Sequence, residues 1–235
     1  MSFTFHDVDF IWDKYYPTQR AMPWIGHRHF AYDLIRFMKP GRIVELGTHC
    51  GTSFFAFCQA MRDEGVAGEC IAVDNWVGDK HNGFYGGDVY ETLSKIAAEQ
   101  FPGMAILNRC TFDEAAPRFA EQSIDVLHLD GLHTLEAVSH DYETWLPKLR
   151  DNGVVLFHDT HVKEGDFGVY KLWEVLKNQS PHLEFDHSYG LGVLFPKGCG
   201  ASFSKWIHHR SELSDLYRCK ATCYSQSVLV EDLIQ

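Results

Sequence analysis

The chain has 235 residues, a size that fits one α/β domain and can bury roughly 70% of its unfolded surface. Its 45% hydrophobic and 14% aromatic content argues for a real core and against disorder away from the ends. A formal net charge of -11 with no Lys/Arg cluster makes nucleic acid and anionic membrane poor partners.

The seven cysteines (50, 58, 70, 110, 199, 219, 223) are odd in number, and several lie in apolar runs. They read as reduced thiols of a cytoplasmic protein, not as a disulfide framework. Cys219 and Cys223 stand four apart, with no second Cys/His pair at zinc spacing nearby. Asp7, Asp9, Asp13 and Lys14 interrupt the first twenty residues, so no signal peptide is expected there. No apolar run approaches the ~20 residues of a membrane span.

In chain order, Phe30, Leu34, Ile35 and Met38 form a helical stripe that Pro40-Gly41 ends. "RIVELG" (42–47) reads as a first strand and "GTSFFAFCQAMRDEG" as the helix after it. "CIAVDN" (70–75), "AILN" (105–108), "IDVLHLD" (124–130) and "GVVLFHD" (153–159) read as four more strands. Between the last two, Leu135, Val138, Tyr142, Trp145 and Leu149 recur at helical spacing, and Gly153 suits the turn into the next strand. "LEFDHSYGLGVLF" (183–195) reads as two strands around a tight turn, so the sheet closes with an antiparallel pair. After Pro196 the chain reads as helical.

Alternation of this kind predicts an α/β, doubly wound, Rossmann-like sheet with helices on both faces. The expected division is an N-terminal helical segment 1–40, a central domain 41–197 and a C-terminal helical extension 198–235.

Three stretches carry chemistry. In "VELGTHCGTS" (44–53), Gly47 and Gly51 let backbone amides approach a ligand near a helix N-terminus, although any tight strand-to-helix turn needs glycine. The full three-glycine dinucleotide fingerprint is missing. Asp74 closes the second strand, where an acid can accept from a ribose hydroxyl pair or cap a turn. The glycine-rich, aromatic loop 75–88 follows, with Asn75 and Trp76 at its start. Such loops can cover a pocket, and Trp76 either stacks on a base or anchors the loop.

The third stretch is the pair of strand ends, Asp130 and His158-Asp159. Neighbouring strand ends share one rim in a doubly wound sheet. Asp130, His158 and Asp159 therefore converge as candidate ligands of a divalent metal, with His133 a short loop away. Side chains satisfying buried turn amides are the alternative. His128, on the same side of the pleat as Asp130, is either an orienting neighbour or a core histidine.

"VELGTHCGTSFFAF", "VDNWVGDKHNGFYG", "TFDEAAPRF", "IDVLHLDGLHTLEAVSHDYETWLPKL" and "GVVLFHDT" together resemble class I S-adenosylmethionine-dependent methyltransferases. Within that class they resemble the branch of macrolide-sugar and aminocoumarin-sugar O-methyltransferases and cephalosporin-hydroxylase-like proteins. The resemblance implies a seven-stranded sheet whose last strand is antiparallel. It implies that the methionine part of the cofactor lies on Glu45, Gly47, Thr48, Gly51 and Ser53, and the ribose on Asp74. Asn75 and Trp76 would adjoin the cofactor, and the adenine would lie near Thr111, Phe112 and Asp113.

The resemblance further implies Mg2+ or Mn2+ on Asp130 and Asp159, with His133 as general base. Where His158 stands, the best-described of those relatives usually carry an acid. The acceptor would be a small molecule or glycan, and a homo-oligomer or a glycosyltransferase would be the expected partner. Two other readings stay open: a metal-dependent hydroxylase-like relative, and a non-catalytic cofactor-binding subunit of a glycan-synthesis complex.

Overall fold

The structure, a computed structural model, describes residues 4–16 and 23–234, with side chains described as far as residue 226. Of the expected N-terminal helical segment, residues 1–3 and 17–22 lie outside the described ones. Two 3-10 turns, Ile11–Lys14 and Pro23–His27, lead into α1 (Arg28–Met38). Lys39 stops α1 by turning left-handed at φ 50°, its N–H still bonded to the Ile35 carbonyl, and Pro40 follows.

The central alternation begins with β1 (Arg42–Leu46), α2 (Thr52–Asp63) and β2 (Glu69–Asp74). A small hairpin, β3 (Gly78–Asp79) and β4 (Gly83–Phe84), precedes α3 (Gly87–Gln100) and β5 (Ala105–Arg109). Then come α4 (Phe112–Ala115), β6 (Ile124–Leu129), α5 (Leu135–Trp145), β7 (Leu149–His158) and α6 (Val169–Leu176). The chain ends with β8 (His182–Phe185), β9 (Leu191–Leu194), α7 (Ser204–His208) and α8 (Arg210–Ile234).

Seven strands form one sheet in the order β5-β2-β1-β6-β7-β9-β8. Strand β9 runs antiparallel to both neighbours, β7 and β8, while the β5-β2-β1-β6-β7 block is parallel. The chain winds outward from β1 through β2 to β5, then returns to β6 on the other side. The reversal between β1 and β6 is the topological switch point, where sheets of this kind bind ligands.

The central strands are apolar on both faces because helices cover both. Ile43, Val154 and Leu156 pack toward α1 and α2, while their neighbours Val44, Val155 and Phe157 pack toward α5 and α6. Trp12, Trp24, Trp206 and Tyr217 join the first of these clusters, so both terminal segments share its core.

One expected boundary moves. The helical spacing that ran to Leu149 breaks off at Trp145. Pro147 lies in a 3-10 turn, and Leu149 already pairs with Ile124 as the first residue of β7. Proline cannot supply the N–H that another helical turn needs. Gly153 accordingly sits inside β7, not at its entrance. Among the described residues, no helix is long and apolar enough to cross a membrane.

Candidate active site

The turn after β1 is shaped by a close approach. Gly47 adopts φ 86°, and a Cβ added there would lie 2.2 Å from the carbonyl oxygen of Asp130. Only glycine fits. Asp130 N–H in turn donates to the Leu46 carbonyl (2.9 Å), so the ends of β1 and β6 are locked together. Gly51, at φ 77°, begins α2 and packs against Phe55 instead of facing a cavity.

Asp74 organises the same turn from β2. One carboxylate oxygen accepts from the amides of Thr48 and His49 (2.9 Å each), and the other from Trp76 (2.7 Å). A carboxylate has about four acceptor positions, so one remains. Glu45 is buried beneath the turn, accepting from Ser53 Oγ and from His128 Nδ1 (2.8 Å). Because Trp24 Nε1 donates to His128 Nε2 (3.2 Å), the His128 proton sits on Nδ1 and points to Glu45. His128 is thus a satisfied core histidine.

At the neighbouring strand ends, His133 Nε2 lies 2.8 Å from Asp159 Oδ2 and 3.5 Å from Asp130 Oδ1. Asp130, His133 and Asp159 each offer one donor atom, all within 4.8 Å of one another. Asp159 holds φ 60°, an unusual conformation for a side-chain-bearing residue and one that functional sites tolerate. His158, expected as a metal ligand, falls outside that three-donor group. Its Nδ1 lies 3.3 Å from Asp130 and 3.4 Å from Asp159, and its Nε2 bonds the Ser188 carbonyl (3.2 Å). With both nitrogens turned to acceptors, the ring serves as a cation beside the carboxylates and offers no lone pair.

The charges set one another. Burial opposes charge on His158, but Asp159 and Asp130 outweigh it and hold the ring well above its ordinary pKa. Burial likewise opposes charge on His133, yet its hydrogen bonds to Asp130 and Asp159 push it up to about 9. Both carboxylates are held below their ordinary value by the histidines, against burial. His133, which the resemblance implied as general base, is therefore protonated at neutral pH in this arrangement.

Two adjoining cavities open here. The larger, about 420 Å³, is lined by Gly47, Thr48 and Ser53 and by Asp130, His133, His158 and Asp159. The smaller, about 190 Å³, is lined by Asp74, Asn75, Thr111 and Phe112. Gly47, His49, Asn82 and Asp130 line both. Trp76 lines neither: it is buried against Tyr90 with its indole N–H on the His49 carbonyl, and so anchors the loop. Asp113 also lines neither, facing His140 on the surface (2.8 Å). Thr111 caps α4 in a reciprocal capping box with Glu114.

Sequence reasoning missed several residues that line the cavities: His49, Asp79, His81, Asn82, Phe167 and Tyr189. The Asn82-Gly83 dipeptide, a strong hairpin signal, could have placed the β3–β4 turn. Tyr85 lines the smaller cavity, and Phe84 projects outward.

Residues 44–160 match the family described as a methyltransferase domain. The chain is 45% identical over 172 residues to the uncharacterized protein y4gI of Sinorhizobium fredii, a match covering 73% of this chain and 19% of that protein. The matched part is thus about a fifth of the relative's length. Among solved structures, the S-adenosylhomocysteine-bound methyltransferase PaMTH1 of Podospora anserina aligns with a TM-score of 0.58 at 15% identity, over 81% of this chain and 89% of that one. The O-methyltransferase TomG of Streptomyces achromogenes, solved with S-adenosylmethionine, aligns at 0.53 and 14% identity, over 80% and 89%. At such identities the likeness establishes the fold. With the family match over its core, residues 44–160 form a methyltransferase domain.

Proposed function

We propose that the chain transfers the methyl group of S-adenosylmethionine to a hydroxyl oxygen of a sugar-bearing acceptor: a nucleotide sugar, a glycan or a glycosylated metabolite. The observation that carries this reading is the meeting of Asp130, His133 and Asp159 beside the Gly47 turn. A sugar hydroxyl is a poor nucleophile near neutral pH, and it needs both a proton acceptor and a stabilised developing charge. Gly47, Thr48 and Ser53 would hold the methionine end of the cofactor, the spare acceptor of Asp74 its ribose, and Phe112 its adenine. Glu45 Oε2, buried without a hydrogen-bond partner among the described residues, is an acceptor for the methionine ammonium. Trp24 and Tyr189 line the larger cavity and supply aromatic surface of the kind a sugar ring packs on.

The residues also fit a divalent cation. Asp159 Oδ1 is buried and makes no hydrogen bond among the described residues, although His158 Nδ1 lies 3.4 Å away, and paired carboxylates suit Mg2+ or Mn2+. Asp130 and Asp159 would hold it. Held there, such a cation would supply charge to stabilise a developing alkoxide and would offset the carboxylate field that keeps His133 protonated. His133 Nε2 accepts the hydroxyl proton, and the oxygen attacks the sulfonium methyl in line. The carbon–sulfur bond breaks toward sulfur, and S-adenosylhomocysteine leaves.

A metal-free version has its own observation: His158 already places positive charge between the two carboxylates, and His133 would then accept the proton only in its neutral form, favoured as pH rises toward about 9. EDTA separates the two versions. A glycan acceptor suits a setting beside a glycosyltransferase, and the buried free thiols Cys50, Cys58 and Cys70 suit a reducing compartment.

Calorimetry with S-adenosylhomocysteine, followed by a screen of nucleotide sugars and glycosides for uptake of labelled methyl, tests the proposal. Failure to bind the thioether would overturn the cofactor assignment. Binding together with uptake confined to non-sugar acceptors would overturn the sugar assignment alone.

A further inference from the structure

Two loops from different parts of the sheet meet over the larger cavity. The β3–β4 hairpin belongs to the cofactor side, because Gly78, Asp79 and Asn82 line the smaller cavity. The segment 161–168, between β7 and α6, belongs to the acceptor side, with His161 and Phe167 on the larger cavity. Asp166 joins them. Its carboxylate accepts from Lys80 Nζ and, at 2.6 Å, from His81 Nε2.

His81 is turned inward. Its side chain is 7% exposed, whereas Phe84 on the same hairpin is 77% exposed. The His81 ring packs 4.4 Å from Phe167, and its Nδ1 lies 3.4 Å from Nδ1 of His133. Phe167 stacks on the other side of the joint, 4.9 Å from the His133 ring at 14°. One imidazole nitrogen of His133 is thereby occupied, and the other, Nε2, is left facing Asp130 and Asp159.

The joint is marginal by construction. Each strand of the hairpin has two residues, too few for independent stability. Within it, Asp79 Oδ1 accepts from the amides of His81 (2.7 Å) and Asn82 (2.9 Å), which sets the turn but not its docking. The Lys80–Asp166 pair is more than half exposed on both sides, and exposed pairs stabilise little. A ligand that contacts one state of such a hairpin and not the other shifts its population.

We infer that His81 is a positioning residue for His133, held in place by Asp166, and that filling the cofactor cavity docks the hairpin and so completes the acceptor side of the site. This rests on the cofactor assignment of the smaller cavity. It makes cofactor and acceptor binding cooperative, and by linkage each strengthens the other.

Hydrogen exchange of the full chain with and without S-adenosylhomocysteine tests it. The thioether slows exchange in residues 78–85 and also in 161–168, on the order of tenfold in the second segment. Asp166→Ala and His81→Phe lose the protection of 161–168 and keep that of 78–85, and Asp166→Glu retains both. The ring-nitrogen 15N resonances of His133 shift in His81→Phe and stay put in Lys80→Ala, a signature that packing alone does not move. Protection of 78–85 alone in the wild type overturns the inference, as does unchanged coupling in both loss variants or an unmoved His133 signature. Absence of protection at 78–85 overturns the cofactor assignment instead.

Discussion

His133 Nε2 stands 2.8 Å from Asp159 Oδ2, across the gap between the loop after β6 and the end of β7. That one contact ties together the two strand ends on which the proposed chemistry depends. With the Asp130 contact it holds the imidazole above its ordinary pKa, and with the His158 charge it holds Asp159 below its own.

Removing either carboxylate separates chemistry from cofactor binding. Asp130→Asn and Asp159→Asn are expected to lower methyl transfer by about 100-fold or more, with S-adenosylhomocysteine affinity within about threefold of wild type. Transfer assays and calorimetry on the same preparations check this, and full activity in either variant would sink the proposed site.

The pairing of His133 also predicts a pH dependence of stability. Its pKa is raised in the folded protein, from 6.5 to about 9. The stabilisation is therefore complete below about pH 6.5 and is lost as pH rises through about 9. Denaturant unfolding of wild type and His133→Asn should differ by about 1–3 kcal/mol near pH 6, the gap closing toward pH 9.5. A gap that does not change with pH would contradict the assignment.

Asp141 shares that direction for a different cause. Burial pushes its carboxyl up to about 7, with His140 only partly offsetting the effect. The folded state then holds this proton more tightly than the unfolded chain, so stability falls as pH rises from about 4 to about 7. Asp141→Asn should stabilise the protein by about 1–2 kcal/mol at pH 8 and by little near pH 4. Equal effects at both pH values would count against a buried carboxyl.

Gly47→Ala tests the close approach that shapes the cofactor turn. Its new Cβ would stand 2.2 Å from the Asp130 carbonyl, in a backbone conformation at φ 86°. A loss of about 2–4 kcal/mol of stability is expected, with S-adenosylhomocysteine affinity reduced at least about tenfold. Thermal unfolding and calorimetry measure the two effects independently.

EDTA treatment followed by Mg2+ or Mn2+ return decides between the two versions of charge stabilisation. A metal-assisted site loses transfer and regains it, whereas the His158 version keeps its rate throughout.

Much of the architecture is legible in the sequence, because its causes are local. Apolar runs bounded by Gly, Asn and Asp mark the strands, and the two-faced burial of a parallel sheet makes those runs continuous. Strand ends are positions along the chain, so Asp74, Asp130 and Asp159 could be placed on one rim by topology alone. The helix that stops at Trp145 shows the limit. Its apolar spacing continues to Leu149, and only pairing with Ile124 makes that residue a strand.

What only the tertiary structure decided is direction at the rim. Trp76 turns inward, His158 commits both nitrogens to acceptors, and His133 takes the third donor position. His81 reaches His133 from 52 residues away, steadied by Asp166 and Phe167 on another loop. No periodicity encodes such meetings. They depend on how two irregular loops dock across a cavity, and the energy of that docking comes from contacts between residues distant in sequence.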